Sequence, residues 1–295
     1  MGGMERLRDR VILITGSTGI AAAAAERCAA QGAAVFVVSR TAEHARDLAE
    51  RLQTDERGPG PAWAQADLTE EAAVDAAVAA AVERFRRIDG LFSVAGGSGR
   101  RFGDGPIHEL TADGWDRTMD LNLRSQALVA RAVTRVMLAR GPTDAGSRGS
   151  IVLVSSVLAA SPVPELFATH AYAAAKGAIV SLATTMAAAY APDRIRVNVI
   201  APALTATPMS SRAAEDPATV DFAARKQPLV GDFLAADDIA HGAVYLLSDE
   251  ARAVTGQVLT IDGGWSVVST PAAGTAAADS RSSAGPTTHS PVRPT

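Results

Sequence analysis

Seven short apolar runs, each followed by a stretch of helix-forming residues, constrain this chain more than any other feature. The runs fall at residues 11–15, 34–39, 62–66, 90–94, 149–155, 195–201 and 258–262. Helices are predicted between them at 20–31, 41–53, 69–86, 113–140, 171–190 and 236–248. A run such as Val-Ile-Leu-Ile has no polar alternation, which is the mark of a strand buried on both faces. Strands that alternate with helices are parallel, because each connection must cross back over the sheet, and such crossovers are right-handed. The expected fold is therefore α/β, a doubly wound parallel sheet of about seven strands with helices on both faces. No linker interrupts the alternation, so residues 1–269 read as one domain. After Ser269 the chain turns to Ser, Thr, Ala, Gly and Pro. Residues 270–295 are expected to be disordered, since they cannot bury enough apolar surface to offset their ordering entropy. Residues 141–148 read as a polar turn before the fifth strand.

Several places in this pattern carry residues suited to chemistry. After the first strand comes Gly16-Ser17-Thr18-Gly19-Ile20, which opens an Ala-rich helix. A glycine turn feeding a helix start presents free backbone amides that suit a pyrophosphate. Tyr172 and Lys176 stand four apart on a predicted helix, so one turn puts both side chains on the same face. An ammonium beside a phenol favours the phenolate. A tyrosine lowered from its free value of roughly 10 can exchange a proton near neutrality. The run 149–155 ends in two hydroxyls, Ser155 and Ser156, at the carboxyl end of a strand, where ligands of open α/β sheets bind. Asn122 interrupts a predicted helix, a poor place for asparagine, and marks a kink, a buried amide or a site residue.

Further matches accompany these: Asp67-Leu68, Ser93-Val94-Ala95-Gly96, Ile195-Arg196-Val197-Asn198, Pro202, Thr207-Pro208-Met209, Val254-Thr255-Gly256-Gln257 and Asp262-Gly263-Gly264. With them, the chain from about Arg10 to Ser266 resembles a short-chain dehydrogenase/reductase of the compact, single-domain type. The resemblance implies a Rossmann-like sheet, a NAD(P)(H) cofactor, and interconversion of a carbonyl and a secondary alcohol. It makes Tyr172 the general acid or base and Ser156 the residue that binds the substrate oxygen. Lys176 would hold the nicotinamide ribose and depress the tyrosine, and Asn122 would hold a water leading from Lys176 to bulk. Cofactor contacts are implied for Gly16, Ser17, Thr18, Gly19, Ile20, Asp67, Leu68, Ala95, Gly96, Pro202 and Thr207, together with Tyr172 and Lys176. A homotetramer or homodimer is implied as well, with residues 263–265 near another subunit.

The departures from the family pattern are informative. Gly16 and Gly19 are three apart rather than four, and Ala21 replaces the last glycine, so the turn is read as a modified phosphate cradle. Ser93-Val94 replaces a pair of asparagines, which removes hydrogen bonds that stiffen that strand end. The second strand ends in Ser39 and Arg40, not in the acid that would bind both ribose hydroxyls of NAD. A hydroxyl beside a guanidinium can hold a 2′-phosphate, so NADP(H) is favoured over NAD(H). Between Ser156 and Tyr172, and after Pro202, the bulky residues are apolar and include Leu158, Phe167 and Met209. They are expected to line the substrate pocket, the second segment as a mobile lid, and to favour an apolar ketone.

A net charge of −4 and scattered arginines give no sign of a nucleic-acid partner. No apolar run approaches the ~20 residues of a membrane span, and the start of the chain has no signal-peptide core. Lone Cys28 excludes an internal disulfide. A cytoplasmic enzyme acting on a small molecule is expected, with no membrane partner. No cluster of His, Cys and carboxylates has metal-ligand spacing, so no metal is expected. Two alternatives remain open. One is a non-redox enzyme (dehydratase, epimerase or cyclase-like) that keeps the Tyr-Lys site, favoured by the shortened glycine turn. The other is a nucleotide-binding non-enzyme, whose mark would be loss of Tyr172 or Lys176.

Overall fold

The computed structural model describes residues 5–52, 62–143 and 146–269. Seven strands form: β1 (Val11–Thr15), β2 (Ala34–Ser39), β3 (Ala62–Gln65), β4 (Gly90–Ser93), β5 (Gly149–Val154), β6 (Ile195–Pro202) and β7 (Val258–Ile261). They make one sheet in the order β3-β2-β1-β4-β5-β6-β7, and every neighbouring pair is parallel. The chain winds outward from β1 to β3, then returns to the other side of β1 to begin β4. That reversal opens a crevice beyond the carboxyl ends of the strands, where ligands of this architecture bind. Central strands β5 and β6 are buried along their whole length, whereas edge strands β3 and β7 alternate between exposed and partly buried residues.

The helices are α1 (Ile20–Ala30), α2 (Ala42–Arg51), α3 (Glu71–Phe85), α4 (Ala112–Met119), α5 (Ser125–Ala139), α6 (Pro164–Phe167), α7 (His170–Tyr190), α8 (Ser211–Ala214), α9 (Pro217–Lys226) and α10 (Ala236–Leu247). Alternate strand residues feed two cores. Leu13, Leu91, Ile151 and Val197 pack with α3, α5 and α7 on one face. Ile12, Ile14, Phe92 and Val152 pack with α1, α2 and α10 on the other. Full burial of each such side chain contributes about 1.5–3 kcal/mol. Alanines at Ala21, Ala24, Ala25, Ala240 and Ala243 let α1 and α10 pack closely. Cys28 is buried in that contact, which pushes its thiol up to about 12; it is a small core residue.

At the amino ends of the strands lies a buried carboxylate. Asp89 accepts hydrogen bonds from the Val11 amide (2.9 Å), from Arg87 Nε and Nη2 (2.8 and 2.7 Å) and from Arg140 Nη2 (2.5 Å). It joins β1 to the start of β4 and to the end of α5.

Some segments differ from the sequence expectation. The helix predicted over 113–140 is two helices, α4 and α5, joined by one π turn at Asp120–Arg124. The stretch expected to be a mobile lid after Pro202 is mostly helical: a 3-10 turn at Pro208–Ser210, then α8 and α9. Pro217 begins α9, and the Asp216 carboxylate caps it by accepting from the Ala218 and Thr219 amides. Residue 53, two residues of the polar turn at 141–148, and the tail 270–295 expected to be disordered lie outside the described residues. Among the described residues no helix is long and apolar enough to cross a membrane, and no group of His, Cys, Asp and Glu could hold a metal ion.

Candidate active site

A cleft of about 850 Å³ opens beyond the carboxyl ends of the central strands. Thr18, Gly19 and Ile20 from the glycine turn line it, with Gly96, Ser156, Tyr172, Lys176, Pro202 and Thr207. Leu158, Phe167 and Met209 line it too. Gly16, Ser17, Ser39, Arg40, Asp67, Leu68, Ala95 and Asn122 stand outside the lining itself.

Helix α7 holds Tyr172 and Lys176 on one face, with Lys176 Nζ 5.5 Å from the Tyr172 ring centre. Lys176 is 3% exposed and donates to the Val154 carbonyl at the end of β5, at 2.9 Å. A neutral carbonyl does little to offset desolvation, and burial pushes the ammonium down to about 7. Tyr172 keeps some surface open to the cleft, yet burial of its hydroxyl raises its pKa above the usual value, and its partner Ser156 only partly opposes that. This corrects the expectation from the four-residue spacing. In the free protein desolvation raises the phenol instead of lowering it.

The adjacent serines have separate tasks. Ser155 Oγ donates to the Lys176 carbonyl at 2.6 Å and ties β5 to α7. Ser156, 9% exposed, accepts from the Leu158 amide at 3.2 Å and keeps its hydroxyl proton for the cleft.

Asn122 is fully buried in the π turn. Its Nδ2 donates to the carbonyls of Thr118 and Gly97, both at 3.0 Å, and its Oδ1 accepts from the Gly97 amide at 3.1 Å. A π turn disrupts the regular ladder of main-chain bonds, and here the asparagine supplies a replacement donor. The same side chain clasps the loop after β4. A Cβ at Gly96 would stand 2.7 Å from Asn122 Oδ1 and 3.6 Å from Lys176 Nζ, so the close approach requires glycine. The missing family asparagines are offset by Thr15. Its Oγ1 accepts from the amides of Val94 and Ala95 at 3.0 and 3.1 Å and lies 3.4 Å from Ser93 Oγ.

At the other end of the cleft, Gly16 and Gly19 both have positive φ, 96° and 55°. No side chain caps α1; the Ala21 amide donates to the Thr18 carbonyl at 3.2 Å, and among the described residues the amides of Ile20 and Ala22 remain open to a phosphate. A Cβ at Gly19 would stand 2.9 Å from the Thr207 side chain, so the loop after β6 lies against the turn. Ser17 Oγ donates to Ser39 Oγ at 2.9 Å, at the end of β2. Exposed Arg40 follows. Asp67 accepts from the Thr69 amide and hydroxyl at 3.0 and 2.8 Å; these bonds, with a smaller contribution from Arg40, hold its carboxyl below the usual value. Leu68 is buried beneath it. Open amides, a shaped cleft and polar groups at the ends of β2 and β3 fit a dinucleotide.

Some residues of consequence escape sequence reading. Asp104, in the loop after β4, is 5% exposed, and its two oxygens accept the amides of Ala171 and Tyr172 at 3.0 and 2.9 Å. It caps the helix that carries the tyrosine. His170 begins that helix with its Nδ1 3.0 Å from the Gly105 carbonyl. Trp265, also in the cleft wall, is 1% exposed and packs on Phe222 and Phe167, with ring centres 5.4 and 6.2 Å away. It forms part of the cleft's inner wall. Arg100, Arg101 and Arg212 also line the cleft, although the arginines look scattered along the sequence.

A family model described as Enoyl-(Acyl carrier protein) reductase matches residues 14–266. The chain is 34% identical over 265 residues to cis-4-hydroxycyclohexanecarboxylate dehydrogenase of Sinomonas cyclohexanicum, across 90% of this chain and 99% of that one. It is 34% identical over 270 residues to short-chain dehydrogenase reductase 3a of Arabidopsis thaliana, across 91% and 99%. A solved short-chain type dehydrogenase/reductase from Mycobacterium ulcerans matches the fold with a TM-score of 0.79 at 31% identity, covering 88% of this chain and 90% of that one.

Proposed function

Because the chain belongs to the short-chain dehydrogenase/reductase family and is a NAD(P)-dependent oxidoreductase of carbonyls and alcohols, we propose that it works chiefly as an NADPH-dependent ketone reductase with Tyr172 as general acid. The observation that carries this reading is the convergence of Ser156, Tyr172 and Lys176 on one cleft beyond the strand ends, with Lys176 Nζ 5.5 Å from the Tyr172 ring centre on the same helix face. When bound, the nicotinamide supplies a hydride to the carbonyl carbon. Ser156 donates a hydrogen bond to the oxygen on which charge then builds, and Tyr172 gives that oxygen its phenolic proton. Lys176, with a pKa near 7, carries positive charge beside the phenolate left behind and can pass a proton on. Asn122 holds the loop of Gly96 and Gly97 over Lys176.

Preference for NADPH is supported by Ser39 and exposed Arg40 at the end of β2, since a hydroxyl with a guanidinium suits a phosphate monoester. The apolar side chains of Leu158, Phe167 and Met209 suit a ketone with an apolar body. Assembly into a homo-oligomer is supported by the small exposed residues of α7, among them Ala174, Ala188 and Ala189. The test is a binding titration with NADPH and NADH, followed by fluorescence or calorimetry. Tighter NADPH binding is expected. Preference for NADH would remove the phosphate assignment, and binding of neither by folded protein would remove the redox reading.

A further inference from the structure

The mouth of the cleft is basic in a chain of net charge −4. Arg100 and Arg101 sit on a 3-10 turn, Arg100–Phe102, in the loop after β4, and Arg212 sits on α8; all three are exposed and line the cleft. Glu165 and Asp216 line it as well, so the three guanidiniums outnumber the two carboxylates by one, and the Asp216 carboxylate is turned to the amides and hydroxyl that begin α9. Arg100 Nη2 donates to the Leu166 carbonyl at 2.8 Å, and the Arg101 guanidinium lies 4.5 Å from the Phe102 ring centre. Each guanidinium has five N–H donors, so these contacts leave most of them open. Leu166 and Phe167 belong to the segment between Ser156 and Tyr172. Arg100 is thus anchored on the expected substrate wall.

We propose that Arg100, Arg101 and Arg212 bind a carboxylate on the substrate, so that the substrate is an oxo acid or hydroxy acid whose apolar body lies along Leu158, Phe167 and Met209. The proposal rests on reading the cleft as the carbonyl site. A planar guanidinium fork matches a carboxylate with two parallel hydrogen bonds, and a partly enclosed cleft screens that attraction less than open surface does. Apolar walls alone would favour the alcohol, whose hydroxyl costs less to desolvate than a carboxylate; the arginines are what reverse that order.

The test is calorimetric titration of the protein, without and with NADPH, using two matched pairs. These are phenylacetate against 2-phenylethanol, and 3-phenylpropionate against 3-phenylpropan-1-ol. None of the four is a ketone, so binding is read apart from turnover. If Tyr172→Phe abolishes turnover but leaves acid binding intact, the two readings are separated. At least one acid is expected to bind about tenfold tighter than its alcohol, the worth of one good charge-assisted hydrogen bond. The gap should narrow in about 0.5 M salt. Arg212→Gln and Arg101→Gln should each weaken the acid several-fold with NADPH affinity unchanged; Arg100→Gln also loses its bond to Leu166 and is read alongside them. No preference for either acid, or variants that weaken NADPH and leave the acids untouched, would overturn the proposal.

Discussion

Asp89 and Lys176 are both buried charges, one at the amino edge of the sheet and one at the carboxyl edge, and they are housed in opposite ways. Asp89 is met by two guanidiniums and a main-chain amide. Lys176 is met by a single carbonyl, and burial drives its ammonium down to about 7. A fully partnered buried charge holds strands and helices together. A poorly partnered one sits at higher free energy and titrates where proton transfer needs it. The neighbouring serines repeat the contrast on a smaller scale, Ser155 bonded into the frame and Ser156 facing the cleft. In this fold the amino edge is built for cohesion and the carboxyl edge for reactivity.

Substitutions can break that division. The largest expected effect is at the reactive edge: Tyr172→Phe should lower turnover by about 10²–10⁴-fold with little change in melting temperature. Steady-state kinetics beside a melting curve reads both, and near-normal turnover would remove the acid assignment. Next comes the cohesive edge. Asp89→Ala leaves Arg87 and Arg140 without their carboxylate and should cost about 3–5 kcal/mol in denaturant unfolding. The fraction that still folds should bind NADPH normally; a loss of affinity instead would tie Asp89 to the site.

Lys176→Met sharpens the comparison through pH. The native lysine has a pKa near 7 against 10.5 for an unperturbed one, so between those values the unfolded chain holds the extra proton. Stability of the free protein should therefore rise with pH across that window, and the penalty should be fully present below it. The methionine variant should lose this slope and be at least as stable as wild type at pH 7, though inactive. Unfolding midpoints at pH 7 and pH 10 measure the difference, and an unchanged slope would show that another group is responsible. Asp104→Ala should cost about 1–2 kcal/mol, as loss of a helix cap does, and lower turnover by disordering the start of α7. The smallest effect belongs to Ser155→Ala, about 1 kcal/mol with turnover retained, whereas Ser156→Ala should lose turnover for a similar loss of stability.

The strands were legible because parallel sheets bury both faces, leaving unbroken runs such as Val11–Thr15 and Gly149–Val154. Tyr172 and Lys176 were legible because helical spacing alone sets which residues share a face. The sign of the tyrosine shift was not, since it depends on burial, and a spacing says nothing of desolvation. Asp104 looks like a loop acid among glycines, and its partners, the amides of Ala171 and Tyr172, lie far along the chain. Arg100 and Arg101 share one 3-10 turn and Arg212 sits far along the chain on α8, so only folding shows them as a group. Helices α8 and α9 are short and lack a strong period, which is why the segment after Pro202 read as loop. The π turn showed only as Asn122, a poor helix former marking a kink, because the apolar pattern runs on through it.

That turn also limits how the chain can vary in length. A regular helix advances about 100° per residue, so a π turn is in effect one residue inserted into an otherwise α-helical path. Removing any one residue between Asp120 and Arg124 would restore a smooth α4–α5 rod and satisfy its own main chain better. It would also swing Asn122 about a quarter-turn away from Gly97, and the loop over Lys176 would lose its clasp. Deletions there should be scarcer among working sequences than substitutions, since the register of one segment is what an otherwise tolerant helix cannot give up.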